Sequence, residues 1–304
     1  MMLPKSDFHI HTHCSCDSAS AQIQDIVREY RAHGFKQLGI SDHLHTRFNL
    51  PDIVIARQEY DALGCDADPD LHFGIEVTCA TAWECEKIAR RDYTSCFTID
   101  VEGIPFRTIT PIDGVMFGGP TGGPLQIDLT DEEIRMLKIE YVIGGVHKPN
   151  YTRLAPEPML EDFFNQMCYL IKHPIIDILA HPWDGLAFWS SKTLLTKDRS
   201  EMRFDVYRMI PQEMNDELGR LLIENRKYAE INASIIDVQG MPDDAIHAIL
   251  AIYARWKEQG VTFTYGSDLH EPHYPKDRLK RFDVLIREYG FKEEDFVQPK
   301  FRKY

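Results

Sequence analysis

Short apolar runs that end in polar or ionisable residues recur along this chain of 304 residues, and each is followed by a stretch with helical spacing. The first run, "SDFHIH", leads into "AQIQDIVREYRAHG", where Ile23, Ile26, Val27 and Tyr30 share one helical face and Gly34 supplies a stop. "KQLGISDH" (36–43) predicts a second strand, and "PDIVIARQEYDALG" a second helix with Pro51 in its first turn. Further strands are expected in "LHFGIEVT" (71–78), "IEYVIGGVH" (139–147), "IIDILAHP" (175–182), "YAEINAS" (228–234) and "VTFTYGSDLH" (261–270). Helical segments separate the later ones, around 157–173, 212–226, 243–259 and 276–289. Strands alternating with helices point to βαβ units around a parallel sheet. Seven of them, uninterrupted by any low-complexity linker, suggest one closed or nearly closed α/β barrel over residues 1–304 rather than two domains. Two stretches break the rhythm. Residues 93–128, rich in Gly, Pro and β-formers, read as a hairpin excursion after the third strand, and residues 183–211, beginning "WDGLAFWS", read as a second inserted loop.

Composition narrows the class. The formal net charge of −14 disfavours a broad nucleic-acid-binding surface, although a small cationic pocket remains compatible with it. No apolar run approaches the ~20 residues needed to span a bilayer. The start, "MMLPKSDFHIH", lacks the apolar core of a signal peptide. Seven cysteines, an odd number, fit reduced thiols better than a disulfide framework. A cytoplasmic protein with no membrane partner is the expectation.

The carboxyl ends of the expected strands carry the chemistry. The first gives His9 and His11, with Asp17 just beyond; the next give Asp42 with His43, Glu76, His147 and His181; the last two give Glu230 with Asn232, and Asp268 with His270. In parallel α/β barrels catalytic loops converge on that face. Residues i and i+2 of a strand point the same way, so His9/His11 and Asp268/His270 can each aim two donors into one cavity. Imidazole and carboxylate without thiolate suit Zn²⁺, Mn²⁺ or Fe²⁺, and so many donors suit two or three cations rather than one.

The segments "DFHIHTHCSCDS", "GISDH", "GIEV", "GGVHKP", "AHPW", "EINAS" and "GSDLH" resemble, in order, the motifs of the PHP (polymerase and histidinol phosphatase) superfamily, closest to its histidinol-phosphatase-like members. The resemblance covers nearly the whole chain. It implies a distorted (β/α)7 barrel with a trinuclear metal centre that hydrolyses phosphoesters. By position, one metal would take His9, His11, Glu76 and Asp268. Glu76 would bridge to a second, bound by His147 and His181, and a third would take Asp17, His43 and His270. The turn "CSCDS" departs from the Ser-rich turn of the family, and Cys14 and Cys16 read as small residues in serine positions rather than as soft ligands. His13 and His45 read as rim or surface residues.

The implied chemistry is hydrolysis of a small phosphomonoester by a metal-activated hydroxide, with Asp42, His43, Asp268 and His270 as candidate catalytic groups. Asp42 is expected to orient His43. Phosphate also wants cationic partners; Lys148, Arg153 and Arg47 are candidates, with Asn232 as a further substrate contact and Trp183 and Trp189 as possible flanks. Three alternatives stay open: a nuclease or phosphodiesterase of the same superfamily, a C–N hydrolase with a similar first motif, and a non-catalytic metal-binding regulatory barrel.

Overall fold

A computed structural model describes residues 4–17, 19–93, 97–101, 104–108, 123–150, 155–190, 204–237 and 241–304. Seven parallel strands form one sheet: β1 (Ser6–Ile10), β2 (Gln37–Ile40), β3 (Leu71–Thr78), β4 (Tyr141–Gly145), β5 (Ile178–Leu179), β6 (Tyr228–Asn232) and β7 (Thr262–Gly266), hydrogen-bonded in that order. The sheet nearly closes on itself. Asp268 N donates to His9 O and His11 N donates to Leu269 O, both at 2.9 Å, which ties the end of β7 to the end of β1. β3 is buried at all eight positions, because a strand lined by helices outside and core inside has no wet face.

Six helices fall where the periodicity places them: α1 (Ile23–Ala32), α2 (Leu50–Ala62), α5 (Pro156–Lys172), α7 (Gln212–Glu224), α8 (Asp243–Gln259) and α9 (Lys276–Glu288). The shorter α3 (Ala82–Ala89), α4 (Asp131–Met136) and α6 (Leu186–Trp189), the last inside the stretch read as a loop, span too few turns for the pattern to predict. Gly34 takes φ +88° just past α1, the left-handed turn that lets the chain reverse into β2. This is the distorted (β/α)7 barrel the sequence predicts. Of the two inserted stretches, the backbone of 97–101 pairs antiparallel with 104–108 as a hairpin. Residues 94–96, 102–103, 109–122 and 191–203 lie outside the described residues. No helix among the described residues is long and apolar enough to cross a membrane.

The barrel interior is divided in two. Its lower half is apolar: Phe8, Tyr141, Ile143, Ile178 and Ala180 pack together, with Phe301 of the carboxyl tail against them. Tyr141 fills the centre, donating to Phe8 O at 2.8 Å, where Gly39 and Gly74 leave it room; a Cβ on Gly74 would stand 2.3 Å from its ring. Above this plug the interior is polar. A register shift lets three residue steps on β1, from Asp7 to Ile10, match two on β2, from Leu38 to Ile40. Such a bulge breaks the alternation of faces, so Phe8 joins the plug while the adjacent His9 joins the polar layer.

Candidate metal centre

Glu76, near the end of β3, is the hub of that layer. Its Oε2 lies 2.9 Å from His9 Nε2, 3.1 Å from His43 Nδ1 and 3.6 Å from His11 Nε2. Its Oε1 lies 2.9 Å from both His147 Nε2 and His181 Nε2. One carboxylate therefore faces five imidazoles from four places in the chain. The short strand His43–Leu44 pairs with β3 in register His43↔Glu76, which brings that imidazole alongside.

Asp268 and Asp17 complete the constellation. Asp268 Oδ1 lies 3.2 Å from His11 Nε2, 3.6 Å from His9 Nε2 and 3.7 Å from His270 Nδ1. Asp17 Oδ2 lies 3.2 Å from His43 Nε2 and contacts His270 Nε2. The His11 ring sits between those of His43 and His270, its centroid 4.4 Å from each. All nine residues expected around the metals thus meet in one continuous cluster. The cluster opens to solvent at one end, where the side chains of His270 and Asp17 are 35% and 23% exposed, whereas those of His9, His11 and Glu76 are sealed. His181 and Asp268 take φ of +26° and +55°, a left-handed backbone that costs a non-glycine residue of order 1–3 kcal/mol and is found where function over-determines geometry.

The donors fit divalent cations. His43 Nδ1 and His147 Nε2 stand close to Glu76 yet out of line for a hydrogen bond, so both are buried without a partner, as are His181 Nδ1 and Asp17 Oδ1. Buried polar atoms are otherwise nearly always paired. Ligands at ~2.0–2.2 Å around one tetrahedral ion stand about 3.4 Å apart, within the 2.9–3.7 Å range of the donor separations around Glu76 and Asp268. Burial pushes Glu76 and Asp268 up, but the imidazoles outweigh it, His9 foremost, and hold both carboxyls well below the usual range. Burial pushes His147 down.

Outer partners set the ring orientations. Glu230 Oε1 lies 2.7 Å from His9 Nδ1, while its Oε2 accepts from His181 N (3.1 Å) and Asn232 Nδ2 (2.9 Å). The Thr78 hydroxyl lies between His147 Nδ1 and His45 Nδ1, at 2.6 and 2.5 Å. Ser15 Oγ accepts from His43 N and faces His11 Nδ1. None of Thr78, Ser15 or His45 is legible as part of the site from sequence. His45 is a correction: it is buried beside His43 rather than at a rim, and burial holds its pKa well below the usual value.

Several other expectations change. Asp42 accepts from Thr12 N and Thr12 Oγ1, at 2.5 and 2.7 Å, so it anchors the turn after β1 rather than bonding His43. Burial pushes its carboxyl up to about 6. Lys148 is buried in an ion pair with Glu84 of α3 at 2.9 Å and bonds Asn150 Oδ1 at 3.1 Å; the step after His147 turns it away from the cluster. Arg47 is held by Asp128 through both its backbone and its guanidinium. Asn232 donates to Glu230 and to Asp268 Oδ2 (3.3 Å) and accepts from Ser234 N, so it braces the cluster. Arg153 lies outside the described residues. Trp183 is buried and donates to Asn215, and Trp189 donates to His147 O.

A family model described as "PHP domain" matches residues 7–234. That span holds His9, His11, Asp17, His43, Glu76, His147 and His181, while Asp268 and His270 lie beyond it. Among solved structures, histidinol phosphate phosphatase from Lactococcus lactis subsp. lactis Il1403, complexed with zinc, L-histidinol and phosphate, is similar with a TM-score of 0.58 and 17% identity over 98% of both chains. The putative histidinol phosphatase from Listeria monocytogenes is similar with a TM-score of 0.50 and 12% identity, covering 88% of this chain and 96% of that one. At such identities the likeness speaks for the fold. No curated protein matches the chain.

Proposed function

The chain belongs to the PHP domain family, and from that premise we propose that it is a metal-dependent phosphoesterase acting on a small phosphomonoester, in the manner of a histidinol phosphatase. The observation that carries the reading is the position of Glu76, whose two oxygens face different imidazole sets, as a carboxylate shared between cations requires. His9, His11, Glu76 and Asp268 would hold one ion; Glu76, His147 and His181 a second; Asp17, His43 and His270 a third. Zinc, manganese or iron held there would supply Lewis acidity and lower the pKa of water toward neutrality.

The chain's own groups do the rest. Asp17, His147 and His270 are the most exposed donors, so a phosphate entering the cluster meets them first. Glu230 keeps the His9 Nε2 lone pair aimed inward by accepting from Nδ1. The sealed floor under His9 and Glu76 keeps bulk water from the far side, so charge developing in the reaction faces fixed groups in a weakly screening medium. With Lys148 and Arg47 engaged elsewhere, the reading assigns phosphate binding chiefly to the cations.

The test is phosphate release by protein reconstituted with Mn²⁺ or Zn²⁺ from a panel of phosphomonoesters including L-histidinol phosphate, beside a set of phosphodiesters. Monoester turnover that a chelator abolishes supports the reading. Turnover of diesters alone moves the activity to the diesterase branch. Inactivity on both with metals bound rejects it.

A further inference from the structure

His13, the third histidine of "HIHTH", does not join the cluster of His9 and His11. Its ring points the other way, toward α2, where Nε2 lies 2.8 Å from Glu59 Oε2. The same nitrogen lies 3.7 Å from Cys14 Sγ. A single ring nitrogen holds one proton at most and can serve one of these neighbours well, yet both converge on it. The imidazole nitrogen, the sulfur and the carboxylate oxygen all lie within 4.8 Å of one another. A zinc ion at ~2.0–2.1 Å from nitrogen and ~2.3 Å from sulfur sets a tetrahedral N···S separation of about 3.6 Å, close to the distance seen, and an N···O separation of about 3.4 Å that needs only a small outward rotation of Glu59.

We propose that His13, Cys14 and Glu59 form a separate thiolate-containing site for a divalent cation of zinc type, with its fourth position open to water or an anion. The site differs in kind from the centre around Glu76, whose donors are all nitrogen and oxygen; thiolate in the set selects zinc-type ions over magnesium or calcium. Access is partial. The side chains of His13 and Glu59 are 31% and 36% exposed, enough for an ion to enter while losing some of its water. Binding releases the thiol proton to solvent and leaves a thiolate on the ion. The cation would join α2 to the turn between His11 and Asp17, so its occupancy would stiffen the segment that carries two residues of the main cluster. The site stands whether or not the chain is a phosphoesterase.

Cobalt(II) gives a readout separate from turnover, because a thiolate on Co²⁺ produces a near-ultraviolet charge-transfer band that nitrogen and oxygen donors do not. The full chain, stripped with a chelator, is titrated with Co²⁺ alone. The band should appear in the native protein and in Cys16→Ser, and be absent from Cys14→Ser, which should also bind one Co²⁺ fewer by equilibrium dialysis. Glu59→Gln, a same-shape change at a half-buried position of α2, should keep the fold and weaken the band's Co²⁺ affinity by tenfold or more, so a folding failure of Cys14→Ser leaves the test intact. No band in the native protein, or a band that survives Cys14→Ser or vanishes with Cys16→Ser, overturns the proposal. Visible bands from Co²⁺ at the sulfur-free centre should persist in all these variants.

Discussion

Glu230 and His9, 221 residues apart in the chain, meet at 2.7 Å between Oε1 and Nδ1 on the sealed floor of the barrel. Because Nδ1 is committed to that carboxylate, the other ring nitrogen of His9 is left to face Glu76 and Asp268. The pair therefore sets which atom of His9 is offered to a cation, and the same carboxylate holds the backbone of His181.

Glu230→Gln keeps the shape of the side chain while removing its charge. Metal affinity and phosphate release should each fall by about 10–100-fold, the usual effect of losing an outer partner of a metal-binding histidine. Metal titration and steady-state rates check it. An unchanged affinity would mean that His9 is oriented by packing alone.

Gly145 ends β4 where Glu76 and His147 both approach the backbone. A Cβ there would stand 2.6 Å from Glu76 Oε1 and 2.5 Å from His147 Cε1. Gly145→Ala should thus displace two donors without deleting any, and overpacking of this kind costs about 1–3 kcal/mol. Lower metal content by elemental analysis, together with a reduced unfolding midpoint, is the expected result.

Lys148→Met should leave Glu84 buried without its cation, which typically costs about 3–5 kcal/mol. Denaturant unfolding measures the loss, and the double variant with Glu84→Leu should recover part of it. If Lys148 instead gripped the phosphate of a substrate, the single variant would raise KM and leave stability almost untouched.

Chelation should lower the thermal midpoint, since ions that bind the folded chain alone stabilise it. At a free concentration of 100 times Kd the gain is about 2.7 kcal/mol, or about 5 °C for a chain of this size. Differential scanning fluorimetry with and without Zn²⁺ reads the shift. It should shrink in His9→Ala, which lacks a central donor.

The seven strands and the six longer helices were legible because each is a local statement. The apolar spacing of α1 and the stop at Gly34 need only neighbouring residues, and so does the placing of imidazoles and carboxylates at strand ends. Since all parallel strands of a barrel present their carboxyl ends on one face, donors at those positions had to gather there. By itself, then, the sequence placed the strands of the barrel and the donors at their ends, and the family resemblance picked the set from His9 to His270 out of them. What only the tertiary structure decided was the use of each polar group. Lys148 turns to Glu84 across 64 positions, Asp42 takes Thr12 instead of His43, Thr78 and Glu230 aim rings from strands that local pattern cannot align, and a bulge in β1 puts Phe8 and His9 on the same side. A charged or hydrogen-bonding group buried in a medium that screens poorly must pair with whatever partner the fold delivers. That partner is a property of the three-dimensional packing, which no local spacing encodes.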